Sequence, residues 1–121
     1  MGIACFAPSN AAAELEGSKA FSKDFMSRHG IPTAEHRTFD DYDAARDYLS
    51  SISHRVVIKV SGLAADKGVV LPETAEEAQS EVRQFMLERK FGAARERVVI
   101  EEFLVGDEIS ILTFCDPTGA L

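Results

Sequence analysis

The chain has few cysteines, no tryptophan and no long apolar run, and these shortages exclude several classes of protein. Cys5 and Cys115 lie near opposite ends of the 121 residues, so they do not make a disulfide scaffold. No window of about 18 apolar residues is present, so we expect no membrane partner. The apolar opening, residues 1–8, carries no basic segment and does not resemble a signal peptide. We therefore expect a protein of the reducing cytoplasm.

Positive charge is also scarce, with 13 lysines and arginines against 20 aspartates and glutamates and a net charge of −7. An acidic surface repels phosphate backbones, so nucleic acid is not an expected partner. The three histidines, His29, His36 and His54, have no cysteine or second histidine at ligand spacing, so no histidine metal site is expected. The chain is 45% hydrophobic and 27% charged, which is the composition of one ordinary globular domain.

Helix and strand patterns alternate along the chain. The patterns predict helices over residues 14–29, over about ten residues after a cap at Asp40, and after a capping box formed by Thr74 and Glu77. They predict strands over residues 36–39, 55–60, 69–71, 98–104 and 108–114. Hairpins interleaved with helices favour an antiparallel α+β fold over a Rossmann sheet. The first segment and the last strand lack partners, so both ends are expected to be truncated.

The helical periodicity also predicts which side chains are buried. The first helix should bury one face and leave Lys19, Lys23 and Arg28 outside it, and Gly30 should end it. The second helix should bury Ala44, Ala45, Tyr48 and Leu49. The core as a whole should include Phe25, Val82, Phe85, Ile100 and Leu112.

The segment 61–68, between two predicted strands, contains two glycines, two alanines and Lys67. Small residues allow backbone N–H groups to approach an anion closely, and a lysine adds positive charge. The segment is not a Walker A loop, because no hydroxyl residue follows the glycine–lysine pair and no helix begins there. Taken alone, it is either a flexible hairpin loop or a cover for phosphate.

Four charged residues in the strand regions can each be interpreted either as an ordinary structural or surface residue or as a ligand-binding residue. Lys59 interrupts an apolar strand, either as an edge lysine that prevents aggregation or as a lysine aimed at a ligand phosphate. Glu101 and Glu102 end another apolar strand, and Glu108 follows a tight turn. Each glutamate taken alone is typical of a solvent-facing surface.

Taken together and in order, these segments resemble the glycinamide ribonucleotide synthetase family. The matching segments are residues 16–19, 21–26, 29–33, 57–59, 61–69, 90–92 and 100–108. The resemblance implies an ATP-grasp fold of the α+β class, with a mostly antiparallel sheet and flanking helices. It implies a lead-in segment and helix over residues 1–30, an ATP-clamping lobe over residues 31–114, and a truncated end over residues 115–121.

The resemblance also implies roles for individual residues. Lys19 and Lys59 would contact the phosphates of ATP, and the loop from Gly62 to Gly68, with Lys67, would close over them. The carbonyl of Glu101 would accept from the adenine amino group, and the N–H of Leu104 would donate to the ring. Glu102 belongs to the same strand end, and Glu108 would hold the ribose hydroxyls. Asp66 stands where the family pattern has glycine, which adds a negative charge beside the phosphate path.

The implied reaction joins 5-phosphoribosylamine to glycine through an acyl phosphate, with ATP cleaved to ADP and phosphate, in de novo purine biosynthesis. Mg²⁺ or Mn²⁺ would bind to ligands outside this chain, so no catalytic or metal-binding residue is expected within it. Fusion of the parent protein to other purine-pathway domains is a further expectation. Two alternatives stay open, a non-catalytic or degenerate nucleotide-binding module and another ATP-grasp carboxylate–amine ligase. Residues 62–65 lack the glycine run with arginine of biotin-dependent carboxylases.

Overall fold

The computed structural model describes residues 7–61, 68–88, 97–116 and 119–120. The helices are α1 (Asn10–Gly17), α2 (Lys19–Arg28), α3 (Tyr42–Ser51) and α4 (Ala75–Met86). The strands are β1 (His36–Phe39), β2 (Val56–Ser61), β3 (Val69–Val70), β4 (Arg97–Glu102), β5 (Cys115–Asp116) and β6 (Gly119–Ala120). No helix in these ranges is long and apolar enough to cross a membrane.

Strands β1 to β4 form one sheet in the order β1-β4-β2-β3, and every neighbouring pair is antiparallel. Strands β5 and β6 pair with each other in a separate two-stranded sheet. The antiparallel α+β class predicted from the sequence is therefore confirmed. Strand β4 lies between β1 and β2, so its side chains are central to both faces of the sheet.

The two faces of the sheet differ in character. Val56, Ile58 and Val60 of β2 are buried on one face, while Lys59 and Ser61 are half-buried on the other. The apolar face packs against α3 and α4, in a cluster completed by Ala45, Leu49, Ala78, Val82, Phe85, Val98 and Ile100. Full burial of one large aliphatic or aromatic side chain contributes about 1.5–3 kcal/mol, so this face carries most of the stability. The opposite face is mixed, with Lys59 and Glu101 beside the buried Val99.

The region predicted as one helix over residues 14–29 contains two helices, and α1 begins earlier, at Asn10. Ser18 separates them with an extended backbone, φ −137°. Its N–H donates to the carbonyl of Glu14 at 3.0 Å, and its Oγ accepts from the N–H of Phe21 at 3.2 Å. Ser18 therefore ends α1 and begins α2 in a single residue. Gly30 ends α2 as predicted, with φ 64°.

Helix α4 begins as the capping pattern predicts. Oγ1 of Thr74 accepts from the N–H of Glu77 at 3.1 Å. The reciprocal bond differs from the usual capping box, because Oε2 of Glu77 accepts from the N–H of Glu73 at 2.8 Å. Both bonds satisfy donors that a helix start would otherwise leave unpaired.

Several other expectations were wrong. Helix α3 is capped by Asp41 rather than Asp40, and its buried stripe is centred on Ala45 and Leu49, so Ala44 is exposed. Residues 108–114 do not form a strand, because no strand in the described ranges lies beside them to pair with their backbone. Leu112 is consequently 91% exposed instead of buried in the core.

Candidate functional site

A cavity of about 440 Å³ lies on the polar side of the sheet, next to α1 and α2. Its charged lining residues are Lys19, Lys23, Lys59, Glu16 and Glu101. Three lysines against two glutamates make this cavity locally positive in a chain whose net charge is −7. A locally positive cavity in an acidic protein attracts an anionic ligand.

A larger cavity, of about 560 Å³, lies between the α2–β1 connection and Tyr48. Its Arg37 stacks over the ring of Tyr48, with 4.9 Å between the guanidinium carbon and the ring centroid. It contains no lysine and none of the residues that the sequence assigns to a site. The smaller, lysine-lined cavity is therefore the better candidate.

Glu101 of β4 is at the centre of the charged cluster. Its Oε2 accepts from the Nζ of Lys59 at 2.9 Å and forms an ion pair with the Nζ of Lys23, also at 2.9 Å. The Nζ of Lys23 also donates to Oγ1 of Thr33 at 2.7 Å. Glu101 is 4% exposed. A carboxylate this buried is tolerated only with compensating charges and hydrogen bonds, and the two ammonium groups supply them.

The second oxygen of Glu101 has no such partner. Oε1 is buried and accepts no hydrogen bond from any residue in the described ranges. A buried acceptor left without a donor is unfavourable, and such groups are rare in native proteins. An N–H or O–H donor that reached Oε1 would relieve this cost.

Local structure brings these side chains together. Val57 of β2 pairs with Glu101 in register, so Lys59 lies two residues further along the same face. Lys19 and Lys23 are four residues apart on α2 and therefore share a helix face. Oγ of Ser61 accepts from the N–H of Ala20 at 3.0 Å, which ties the start of α2 to the end of β2.

The backbone at the end of β4 has two distinct edges. The N–H of Phe103 donates to the carbonyl of Arg55 at 3.1 Å, and the N–H of Glu102 donates to the carbonyl of Glu35 at 2.9 Å. Backbone groups of successive residues in a strand face opposite edges. The carbonyl of Glu101 therefore faces β2, with which the strand is paired. The carbonyl of Glu102 faces the other edge, where the N–H of Glu35 bonds instead to Oε1 of the Glu102 side chain at 3.0 Å.

Other predicted site residues are not brought into the cluster. Leu104 and Glu108 are exposed in the segment after β4, and Glu108 makes no hydrogen bond or ion pair with a residue in the described part of the chain. Gly68 is buried, and its carbonyl accepts from the N–H of Val60 at 2.7 Å. Gly62, Lys67 and Asp66 lie outside the described residues, as does the matching segment 90–92.

Lys23 is the site residue that the sequence interpretation missed. We expected it outside the buried face of its helix, and this was wrong, because Lys23 is 8% exposed. The expectation assumed that a buried helix face is apolar, whereas α2 covers the polar face of the sheet. The spacing of four residues from Lys19 was the available signal that both lysines point to one place.

The described ranges do not offer a metal centre. No three His, Cys, Asp or Glu side chains within them converge in a way that could hold a metal ion.

Comparisons with known proteins identify the family. The family model for the phosphoribosylglycinamide synthetase ATP-grasp (A) domain matches residues 17–120. A bifunctional purine biosynthetic protein of Pichia angusta is 53% identical over 115 residues, which are 95% of this chain and 15% of that protein. A phosphoribosylamine–glycine ligase of Pseudomonas putida is 50% identical over 120 residues, which are 99% of this chain and 28% of that protein.

A solved structure agrees as well. The crystal structure of phosphoribosylamine–glycine ligase from Thermotoga maritima matches with a TM-score of 0.77 and 34% identity, over 84% of this chain and 26% of that one. This chain thus spans less than a third of the length of these relatives. Because the family model covers nearly all of its residues, the chain belongs to the phosphoribosylglycinamide synthetase ATP-grasp (A) domain family.

Proposed function

We propose that this chain is the ATP-binding part of a ligase that joins 5-phosphoribosylamine and glycine to give glycinamide ribonucleotide, with ATP cleaved to ADP and phosphate. The observation that carries the proposal is the lysine-lined cavity, in which Glu101 keeps one buried oxygen without a donor. ATP offers the matching groups, since its phosphates pair with ammonium groups and its adenine amino group donates hydrogen bonds. Relatives named phosphoribosylamine–glycine ligase support the reaction.

The phosphates would bind at the lysine end of the cavity. Lys19 and Lys59 would donate to phosphate oxygens from the first turn of α2 and from β2. The loop that contains Gly62, Lys67 and Gly68 would cover the phosphates. Ammonium groups held on a helix and a strand keep their geometry, so little reorganisation is needed when charge shifts during phosphoryl transfer.

The adenine would bind at the end of β4. Oε1 of Glu101 would accept one N–H of the amino group, and the carbonyl of Glu102 would accept the other. The N–H of Leu104 would donate to a ring nitrogen, and Glu108 would accept from the ribose hydroxyls. This assignment moves the carbonyl contact from Glu101 to Glu102, because only the Glu102 carbonyl faces away from β2.

The chemistry of the bound nucleotide is activation of a carboxylate by a phosphoryl group. The residues of this chain contribute binding, orientation and neutralisation of negative charge. Mg²⁺ or Mn²⁺ would belong to the complete enzyme, with ligands outside this chain. The 121 residues by themselves should therefore give no more ADP from 5-phosphoribosylamine, glycine and Mg-ATP than a Lys59→Ala variant, and turnover above that variant would contradict this assignment.

The domain bounds of the chain, its location in the cell and its fusion to other domains are also proposals. We assign residues 31–114 to the ATP-clamping lobe and residues 1–30 to the segment that leads into it, in a cytoplasmic protein. Bifunctional purine biosynthetic relatives support a parent fused to other purine-pathway domains. The genomic sequence on both sides of this coding region would distinguish the two alternatives. Family domains in the same reading frame would indicate a ligase gene. Stop codons would indicate a degenerate nucleotide-binding module.

The nucleotide site is tested by titrating the chain with ATP, GTP and tripolyphosphate, using calorimetry up to millimolar ligand. ATP should bind most tightly, because guanine places a carbonyl oxygen where adenine has its amino group, and that oxygen would face the acceptor Oε1 of Glu101. Arg46→Ala, a half-exposed change on α3, is the matched control and should leave all three affinities unchanged. Equal binding of ATP and GTP would contradict the adenine contacts, and binding of neither would contradict the site.

A further inference from the structure

Two lysines share one oxygen of Glu101, but they are held differently. The side chain of Lys59 is 28% exposed and borders the open cavity, whereas that of Lys23 is 10% exposed. The Nζ of Lys23 is also fixed by its second bond, at 2.7 Å to Oγ1 of Thr33. Lys59 is therefore the ammonium group that is able to leave the cluster, and Lys23 is the one that stays.

A phosphate contact from Lys59 has a consequence for Glu101. Nζ of Lys59 is 2.9 Å from Oε2 of Glu101, so turning it toward a ligand phosphate weakens or breaks that ion pair. A buried carboxylate left without a counter-ion is strongly unfavourable, more so than the pair itself was favourable. Some other positive group must then keep the charge of Glu101 compensated.

We infer that Lys23 is a positioning residue of the nucleotide site, the permanent counter-ion of Glu101 that frees Lys59 to bind phosphate. The inference rests on the proposed function, because it concerns what happens when ATP enters the cavity. Lys23 acts through Glu101 rather than by touching the nucleotide. It keeps the carboxylate in place while the second ammonium group changes partner.

Other ionisable groups lie near Glu101 and provide control variants for the experiment. His36 of β1 pairs with Glu101 in the sheet register, and Lys19 and Glu16 line the same cavity. Glu16 is useful because it is a carboxylate of the cavity that is exposed and makes no bond to Lys23 in the described ranges. Neutralising Glu16 changes the charge of the cavity without changing the Lys23–Glu101 pair.

The test is a set of ATP titrations of the 121-residue chain. Lys23→Met should weaken ATP binding by about 10- to 100-fold, because Lys59 then stays with Glu101. Adding Glu101→Gln to Lys23→Met should restore the dissociation constant to within about threefold of the unsubstituted chain. The glutamine needs no counter-ion, and its amide oxygen still accepts from the amino group. Adding Glu16→Gln instead should restore nothing.

Each outcome decides a specific point. Equal rescue by Glu16→Gln and Glu101→Gln would overturn the inference, since the effect of Lys23 would then be only the overall potential of the cavity. Unchanged ATP binding in Lys23→Met would overturn it while leaving the proposed ATP site intact. Failure of the unsubstituted chain to bind ATP would overturn the ATP site itself, and the inference with it. Arg28→Met, which removes an exposed positive charge from the same helix, should change nothing.

A second measurement does not depend on the folding of Lys23→Met. Lysine acylation of the unsubstituted chain, followed by peptide mass spectrometry, should label Lys59 readily and Lys23 slowly. ATP should protect Lys59 and leave the slow rate of Lys23 unchanged. Equal labelling of both lysines without ATP, or loss of Lys23 protection when ATP binds, would overturn the assignment of Lys23 as the fixed partner.

Discussion

Ser61, the last residue of β2, accepts a hydrogen bond from the backbone N–H of Ala20 in the first turn of α2, at 3.0 Å. Its hydroxyl is also 3.3 Å from that of Ser18, the N-cap of the same helix. One strand residue thus supplies an acceptor that a helix start otherwise lacks. The contact helps to fix the position of Lys19 relative to Lys59, together with the Lys23–Glu101 ion pair.

Ser61→Ala should therefore lower the free energy of unfolding by about 0.5–2 kcal/mol, the usual cost of losing a helix cap. Urea denaturation followed by circular dichroism measures this change. Ser51→Ala is the matched control, because within the described residues its hydroxyl bonds only to the carbonyl of Tyr48 at an exposed helix end. A loss in Ser61→Ala no larger than in the control would contradict the link between α2 and β2.

Lys59→Ala should weaken ATP binding more than it weakens the fold. Loss of a charge-assisted contact to phosphate costs roughly 1.5–3 kcal/mol, whereas Glu101 keeps Lys23 as its counter-ion in the free protein. Calorimetric titration gives the first quantity and urea denaturation gives the second. Equal ATP affinity in the variant and the unsubstituted chain would exclude Lys59 from the phosphate site.

Phe85→Ala should be among the most destabilising single substitutions. The ring is 1% exposed and lies in the cluster between α4 and the sheet, so its removal leaves a cavity costing about 3–5 kcal/mol. Leu87→Ala, two residues later and 52% exposed, removes an apolar side chain outside the core and is the control. Similar unfolding midpoints for the two variants would show that the core is placed wrongly.

The segment after β4 should make the isolated chain associate with itself. Leu104, Val105, Ile109, Ile111, Leu112 and Phe114 are all exposed. Several large exposed apolar side chains within one short segment promote association. Replacing Ile109, Ile111 and Leu112 together by serine should lower the sedimentation coefficient measured at high concentration and leave the urea midpoint unchanged. Leu71→Ser, an exposed change elsewhere, should not affect association, and an equal effect there would refute the assignment to this segment.

The elements that the sequence predicted well are those with local causes. Gly30 ends α2 because it adopts the positive φ that other residues avoid, and Thr74 begins α4 because its hydroxyl reaches an unpaired N–H. The alternation of β2 followed from its β-branched residues. In each of these cases the residues that determine the structure lie within a few positions of it, so the local sequence pattern is enough to predict it.

The features that the sequence predicted poorly depend on distant partners. The apolar alternation over residues 108–114 suggested a strand, but a strand also requires a neighbour for its backbone, and periodicity does not supply one. Lys23 looked exposed because the glutamate that it pairs with lies 78 positions further along the chain, on β4. The pairing of Val57 with Glu101, which no local pattern predicts, places the Glu101 side chain on the same face of the sheet as Lys59.

The position of β4 also constrains how the protein is made. Two pairings of the sheet, β1 with β4 and β2 with β4, cannot form until β4 has been synthesised, and β4 is the last of the four strands in the chain. On the ribosome, the emerging chain exposes two unpaired strand edges and the apolar faces of α3 and α4 until residues 97–102 have left the exit tunnel. A translational pause before β4 would prolong that exposed state, whereas a pause after it would allow the sheet to close in one step.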